Sequence, residues 1–260
     1  MISSKKLILM VALTMNNIIF FYKHSVFLLM VYLLGFFLFI TPCKANIQLN
    51  KTRLIIDYPD KSAILKINNV EENPVILQIW IDSGDDNQDV TTINVPFVVS
   101  EPMYKLDADS SVNIKVIYTG SNTSLPNDKE SVFWLNILEI NSNDGNSANK
   151  INFSFRSRIK LFYRPGIITK KDISQAYANL SFEVTPDNKL KIKNNSKLNI
   201  TLLQLTNIEG KKDNLNEINM IPPFNSIYVN NALNFKENDH IIYTYINDKA
   251  EPIKLKTKIL

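Results

Sequence analysis

From Asn46 to the C-terminus, apolar residues come in short runs, many alternating with polar ones, and turn-forming clusters cut in roughly every eight to fifteen positions. Successive side chains of a strand point to opposite faces, so a period of two marks a half-buried strand. The pattern predicts strands over Leu54–Tyr58, Ala63–Ile67, Val75–Asp82, Val112–Tyr118, Val132–Ile140 and Ile151–Tyr163. Turn clusters at residues 70–74, 83–87 and 142–146 punctuate them. At Arg164-Pro165-Gly166 the sheet should end, because proline lacks a backbone donor and glycine frees the next torsion. The same style returns at Leu180–Val184, Lys189–Lys193, Ile200–Leu205, Ile227–Asn230, His240–Ile246 and Ile253–Ile259, with Pro186-Asp187-Asn188 as a hairpin turn. Stretches with helical period are few. The expectation is an all-β chain of two β-sandwich domains in tandem, residues 46–165 and 166–260, with strand spacing that suits immunoglobulin-like folds.

The first 45 residues are different. Lys23 and His24 precede an apolar run from Val26 to Ile40, followed by Thr41-Pro42-Cys43-Lys44-Ala45. A positive segment, an apolar core and a small residue at the cut are the parts of a secretion signal, and Ala45 is the natural last leader residue. The further apolar stretch from Leu7 to Phe21 implies either a long leader or a true start at Met15. The run is short of the ~20 residues that a spanning helix wants, which disfavours an uncleaved anchor.

Charge then changes the picture. The chain has 29 Lys and Arg against 25 Asp and Glu, but Lys5, Lys6, Lys23 and Lys44 lie in the leader, so the remainder carries 25 of each sign. A neutral body offers no net electrostatic reason to bind nucleic acid or an anionic surface. The one cysteine, Cys43, would leave with the leader, so an exported mature chain must be held by its cores and not by disulfides. His240 is then the only histidine, which leaves little from which to build a nucleophile–His pair or a His-rich metal site. No glycine-rich phosphate loop is present either, so the sequence gives no enzyme, cofactor, metal or small-molecule substrate.

The segment from Ile151 to Pro165 is the most informative. Ile151, Phe153 and Phe155 alternate with polar residues and place a row of large apolar side chains on one face. On alternation alone, that row would pack into its own core. Four ordered motifs alter this reading: Arg158-Ile159-Lys160-Leu161-Phe162-Tyr163-Arg164-Pro165; Leu125 to Asn136 upstream; Lys51-Thr52-Arg53 with Tyr58-Pro59; and Val75–Trp80 with Pro96-Phe97-Val98-Val99. Together they resemble the periplasmic pilus-assembly chaperones, the PapD-like family, over the whole first domain. In the second domain the resemblance is thinner and rests mainly on Tyr245-Ile246-Asn247-Asp248.

The resemblance implies two immunoglobulin-like sandwiches set like a boomerang around a cleft, and a periplasmic chaperone that binds, folds and caps pilus or fimbrial subunits before delivering them to an outer-membrane usher. A subunit lacking its last strand would borrow one from the chaperone, a mode of strand addition known as donor-strand complementation. By position, Ile151, Phe153 and Phe155 would be the plugs, and Arg53 and Lys160 would anchor the subunit's C-terminal carboxylate. Glu130, Arg164 and Asp248 would form an ion cluster between the domains. A guanidinium fork and an ammonium suit a carboxylate well. Ideal alternation sets Lys160 on the face opposite Phe155, so either a twist or bulge intervenes or anchor and plugs use different faces.

The sequence departs from the family at Ser100-Glu101-Pro102, where Thr-Pro-Pro is frequent, and its connection over Asn141–Lys150 is short, as in the subclass that builds rod-like pili. A secreted immunoglobulin-like adhesin or pilus structural subunit is the rival reading. Such a protein would not need the Arg53/Lys160 pair.

Overall fold

The computed structural model describes residues 22–23, 25–32, 47–120, 125–141, 154–215 and 220–260. Most of the expected leader, including Ala45, lies outside them, as do Ile151, Phe153 and nearly all of the short connection after Asn141. Among the described residues no helix is long and apolar enough to cross a membrane. From Ala45 onward the chain forms one compact unit.

The first half contains β1 (Ile47–Leu49), β2 (Arg53–Asp57), β3 (Ser62–Asn69), β4 (Val75–Asp82), β5 (Phe97–Val99), β6 (Met103–Leu106), β7 (Ser111–Tyr118), β8 (Ser131–Asn141) and β9 (Phe155–Arg164). One sheet has the order β1-β3-β7-β5 and the other β2-β9-β8-β4-β6. Alternation explains the packing. Phe133, Leu135 and Ile137 of β8 and Ile159, Leu161 and Tyr163 of β9 all turn inward, onto Leu65, Ile67, Ile114 and Val116 of the facing sheet. Each such side chain contributes about 1.5–3 kcal/mol when fully buried. The inward row of β9 runs out at Phe155, which is 56% exposed.

The second half opens with α1 (Lys170–Ala176) and continues through β10 (Leu180–Val184), β11 (Lys189–Asn194), β12 (Ile200–Thr206), β13 (Lys212–Asn214), β14 (Met220–Ile221), β15 (Ser226–Asn230), β16 (His240–Ile246) and β17 (Pro252–Lys258). Its sheets are β10-β11-β15 and β13-β12-β16-β17, with β14 also on β12. A second core gathers Phe182, Ile192, Leu202, Ile241 and Tyr243. On the edge strand β17, Lys254, Lys256 and Lys258 face solvent while Ile253 and Leu255 lean on that core.

The expected immunoglobulin-like tandem is therefore the fold found, and the longer expected strands lie on observed ones, except that of the expected Ile151–Tyr163 only the part from Phe155 onward does: Ser154 is outside β9, and residues 151–153 lie outside the described residues. Three-residue elements such as β1, β5 and β13 are too short for a period of two to reveal. α1 was also missed, although Thr169 and Asp172 spell a capping box: Thr169 Oγ1 accepts from the Asp172 N–H at 3.1 Å, and Asp172 Oδ2 accepts from the Thr169 N–H at 2.8 Å.

Candidate functional site

Three constellations meet along β9. The first is the Arg53/Lys160 pair. β2 lies parallel to β9 with Arg53 directly opposite Lys160, so two residues 107 positions apart become lateral neighbours. Lys160 Nζ reaches across to Thr201 Oγ1 of β12 at 3.3 Å. The Arg53 guanidinium lies over the Phe162 ring at 5.8 Å, and its buried Nε has no hydrogen-bond partner among the described residues. Neither cation forms an ion pair among the described residues, whereas Arg156, Arg158 and Arg164 of the same row each do. Burial first, and the Arg53 charge second, draw the Lys160 pKa down to about 8. Burial likewise lowers that of Arg53. A cavity of about 320 Å³ opens beside Arg53, between Lys51 and Thr52 on one side and Asp248 and Lys249 on the other.

The second constellation joins the sandwiches. Arg164, the last residue of β9, donates Nε to Glu130 Oε2 at 2.6 Å, and Nη1 and Nη2 to the two oxygens of Asp248 at 2.7 Å each. The other Glu130 oxygen accepts from both the backbone and side-chain nitrogens of Asn199 at 2.9 Å. Asp248 also accepts from the Tyr177 hydroxyl at 2.9 Å, and Tyr177 stacks on Tyr245. Asp57 stands 3.5 Å from Arg164. Burial alone would lower the Arg164 pKa, but the Asp248 hydrogen bonds and the Glu130 charge outweigh it and hold it above the ordinary value. Burial also works against Asp248, whose carboxyl is nonetheless held below its usual range by Arg164 and Tyr177. All three residues expected in an interdomain cluster are thus brought together. Asp57, Tyr177 and Asn199 belong to it without any local signal that marks them.

The third is the strand itself. β9 pairs with β8 from Phe155 to Tyr163 without a register shift, Ser131 standing opposite Tyr163 and Glu139 opposite Phe155. No bulge separates Phe155 from Lys160, so the two side chains lie on opposite faces. β2 covers only Lys160–Arg164. Among the described residues, no strand pairs with the other edge of Phe155–Ile159. An uncovered strand edge presents free N–H and C=O groups and is a template for a further strand.

Tandem immunoglobulin-like sandwiches are pinned through a buried ion cluster, and among the described residues they carry a strand with half of one edge uncovered beside two cations that form no ion pair. Residues 46–169 match the N-terminal domain of PapD, a pili and flagellar-assembly chaperone, and residues 175–253 match the C-terminal domain of the pili-assembly chaperone PapD. The probable fimbrial chaperone YehC of Escherichia coli (strain K12) is 33% identical over 224 residues, covering 82% of this chain and 90% of the relative. The probable fimbrial chaperone YadV of the same strain is 42% identical over 125 residues, which is 46% of this chain and only half, 50%, of that relative. The crystal structure of the YadV chaperone matches with a TM-score of 0.69 at 31% identity, over 83% of this chain and 100% of that one. The chain belongs to the PapD family of pilus-assembly chaperones, and its role is that of a chaperone in pilus-subunit assembly.

Proposed function

We propose that this chaperone lends the open half of β9 to an incomplete pilus subunit, receives the subunit's C-terminal carboxylate between Arg53 and Lys160, and passes the subunit to an outer-membrane usher. It acts in the periplasm, after removal of the leader through Ala45, by binding and without turnover. The observation that carries the reading is the adjacency, among the described residues, of an uncovered strand edge and a cation pair that lacks an anion. Main-chain hydrogen bonds along Phe155–Ile159 would supply generic affinity. Phe155 would enter a groove of the subunit, preceded by Ile151 and Phe153. The two cations would set register by fixing where the subunit chain ends. Their depressed pKa values fit the same picture, because an arriving carboxylate relieves the cost of holding two positive charges in a partly buried place.

The test is co-expression with a cognate subunit in the periplasm. The wild-type chain should protect the subunit from degradation and yield a soluble one-to-one complex. Arg53→Ala and Lys160→Ala should each abolish protection while the chaperone stays folded by circular dichroism. Rescue by both variants would remove the anchor assignment.

A further inference from the structure

Among the described residues, half of β9 is paired on one side only, and such a strand end belongs to the least stable part of a sheet. Its core side helps only where Ile159 enters the core, since Phe155 at the far end is mostly exposed. The outward side is tied down instead. Asp82, the last residue of β4, is 1% exposed and accepts from Arg158 Nη2 at 2.6 Å and from Asn136 Nδ2 at 2.7 Å. Asn136, on β8, accepts in turn from Arg156 Nε and Nη2 at 2.9 and 2.8 Å. The remaining Arg156 nitrogen caps the Asp86 carbonyl at 2.9 Å. Both guanidiniums lie over tryptophan rings, Arg156 over Trp80 at 5.1 Å and Arg158 over Trp134 at 5.0 Å.

One buried carboxylate therefore holds two cations that both lie in the uncovered half of β9, through ties that cross three adjacent strands. A buried ion pair is a poor way to gain net stability compared with apolar packing, so its placement calls for another reason. A strand kept extended before its partner arrives loses less conformational freedom on binding. We propose that Asp82 is a positioning residue for subunit capture: through Arg158, and by way of Asn136 through Arg156, it keeps the open half of β9 straight and in register for an incoming strand. This inference rests on the strand-donation reading above.

Amide exchange and capture kinetics on the mature full-length chain test it, with Asp82→Asn and, in case that variant folds poorly, Arg156→Ala, which removes only the outer tie. In Asp82→Asn, the β8-bonded amides of Phe155–Ile159 should exchange at least ~10-fold faster, while those of Lys160–Arg164 and of the second sandwich stay as in wild type. Association with a cognate pilus subunit should slow by about tenfold, with dissociation of the formed complex changed far less. Arg156→Ala should show the same signs at smaller size. Exchange that is unchanged in Phe155–Ile159, or faster everywhere in the first sandwich, overturns the proposal. If the wild-type chain captures the subunit and the variants capture it equally fast, this inference alone falls. If the wild-type chain does not capture it, the strand-donation reading falls.

Discussion

Arg164 of the first sandwich and Asp248 of the second are joined by two hydrogen bonds of 2.7 Å, a bidentate fork that faces one guanidinium edge squarely onto one carboxylate. The third guanidinium bond goes to Glu130, whose side chain is 1% exposed. Arg164 thus neutralises a carboxylate that cannot reach water and orients one that partly can.

Removing Arg164 should for that reason be severe. Arg164→Ala leaves Glu130 as an uncompensated buried charge, at a cost of about 3–5 kcal/mol in urea unfolding. Asp248→Asn, at the better-solvated end of the cluster, should cost about 1 kcal/mol. Its main effect should appear in small-angle scattering, as a wider spread of angles between the sandwiches.

Lys160 sets a pH dependence of definite sign. Its pKa in the folded chain is drawn from the ordinary lysine value to about 8, so above pH 8 the folded chain has shed a proton that the unfolded chain still holds. Stability attributable to this group therefore rises with pH from about 8 up to the unfolded value near 10.5. Carboxylate binding runs the other way, since it needs the charged form. Affinity for a peptide carrying the subunit's C-terminal strand should fall between about pH 7 and pH 9, by up to about tenfold per unit. Calorimetry in buffers of different ionisation enthalpy should register proton uptake in that range. Lys160→Arg should flatten the profile.

Phe155 separates folding from binding. It is 56% exposed, so Phe155→Asp should shift the stability of the free chaperone by no more than about 0.5 kcal/mol. Capture of a subunit should weaken by at least about tenfold, because one apolar plug is worth more than 1.4 kcal/mol when fully buried. Denaturation and pull-down of the same preparation give both numbers.

Gly84 follows β4 and donates its N–H to Asp82 Oδ1 at 2.8 Å. Its φ is +124°, and a Cβ there would stand 3.0 Å from the Trp134 ring. Gly84→Ala should cost about 1–3 kcal/mol in chemical denaturation and should disturb the Asp82 ties at the same time.

How far the sequence reaches is clear at β9. Its inward row could be read from alternation, and its ending from Pro165. Whether the plugs and Lys160 share a face could not, because one bulge would reverse the answer, and only the unbroken register against β8 decides it. The Arg53/Lys160 adjacency came from family resemblance. Its physical origin is a parallel pairing between strands at opposite ends of the domain, which no local pattern encodes. Asp82 looked like the polar end of a strand beside a turn. Its partner Arg158 lies 76 positions away, so the carboxylate's role is visible only once β4, β8 and β9 are side by side. In the second domain the capping box at Thr169 is written in the sequence, whereas nothing local to Tyr177 signals that it reaches Asp248.

The lysines of β17 answer a problem that the open half of β9 creates. On the proposed reading, a molecule that lends one strand risks being offered strands in return, and copies could link rim to rim into a growing ribbon. Along β17, an edge of the second sandwich, three solvent-facing lysines set like charges side by side and make the docking of one such edge on another mutually repulsive.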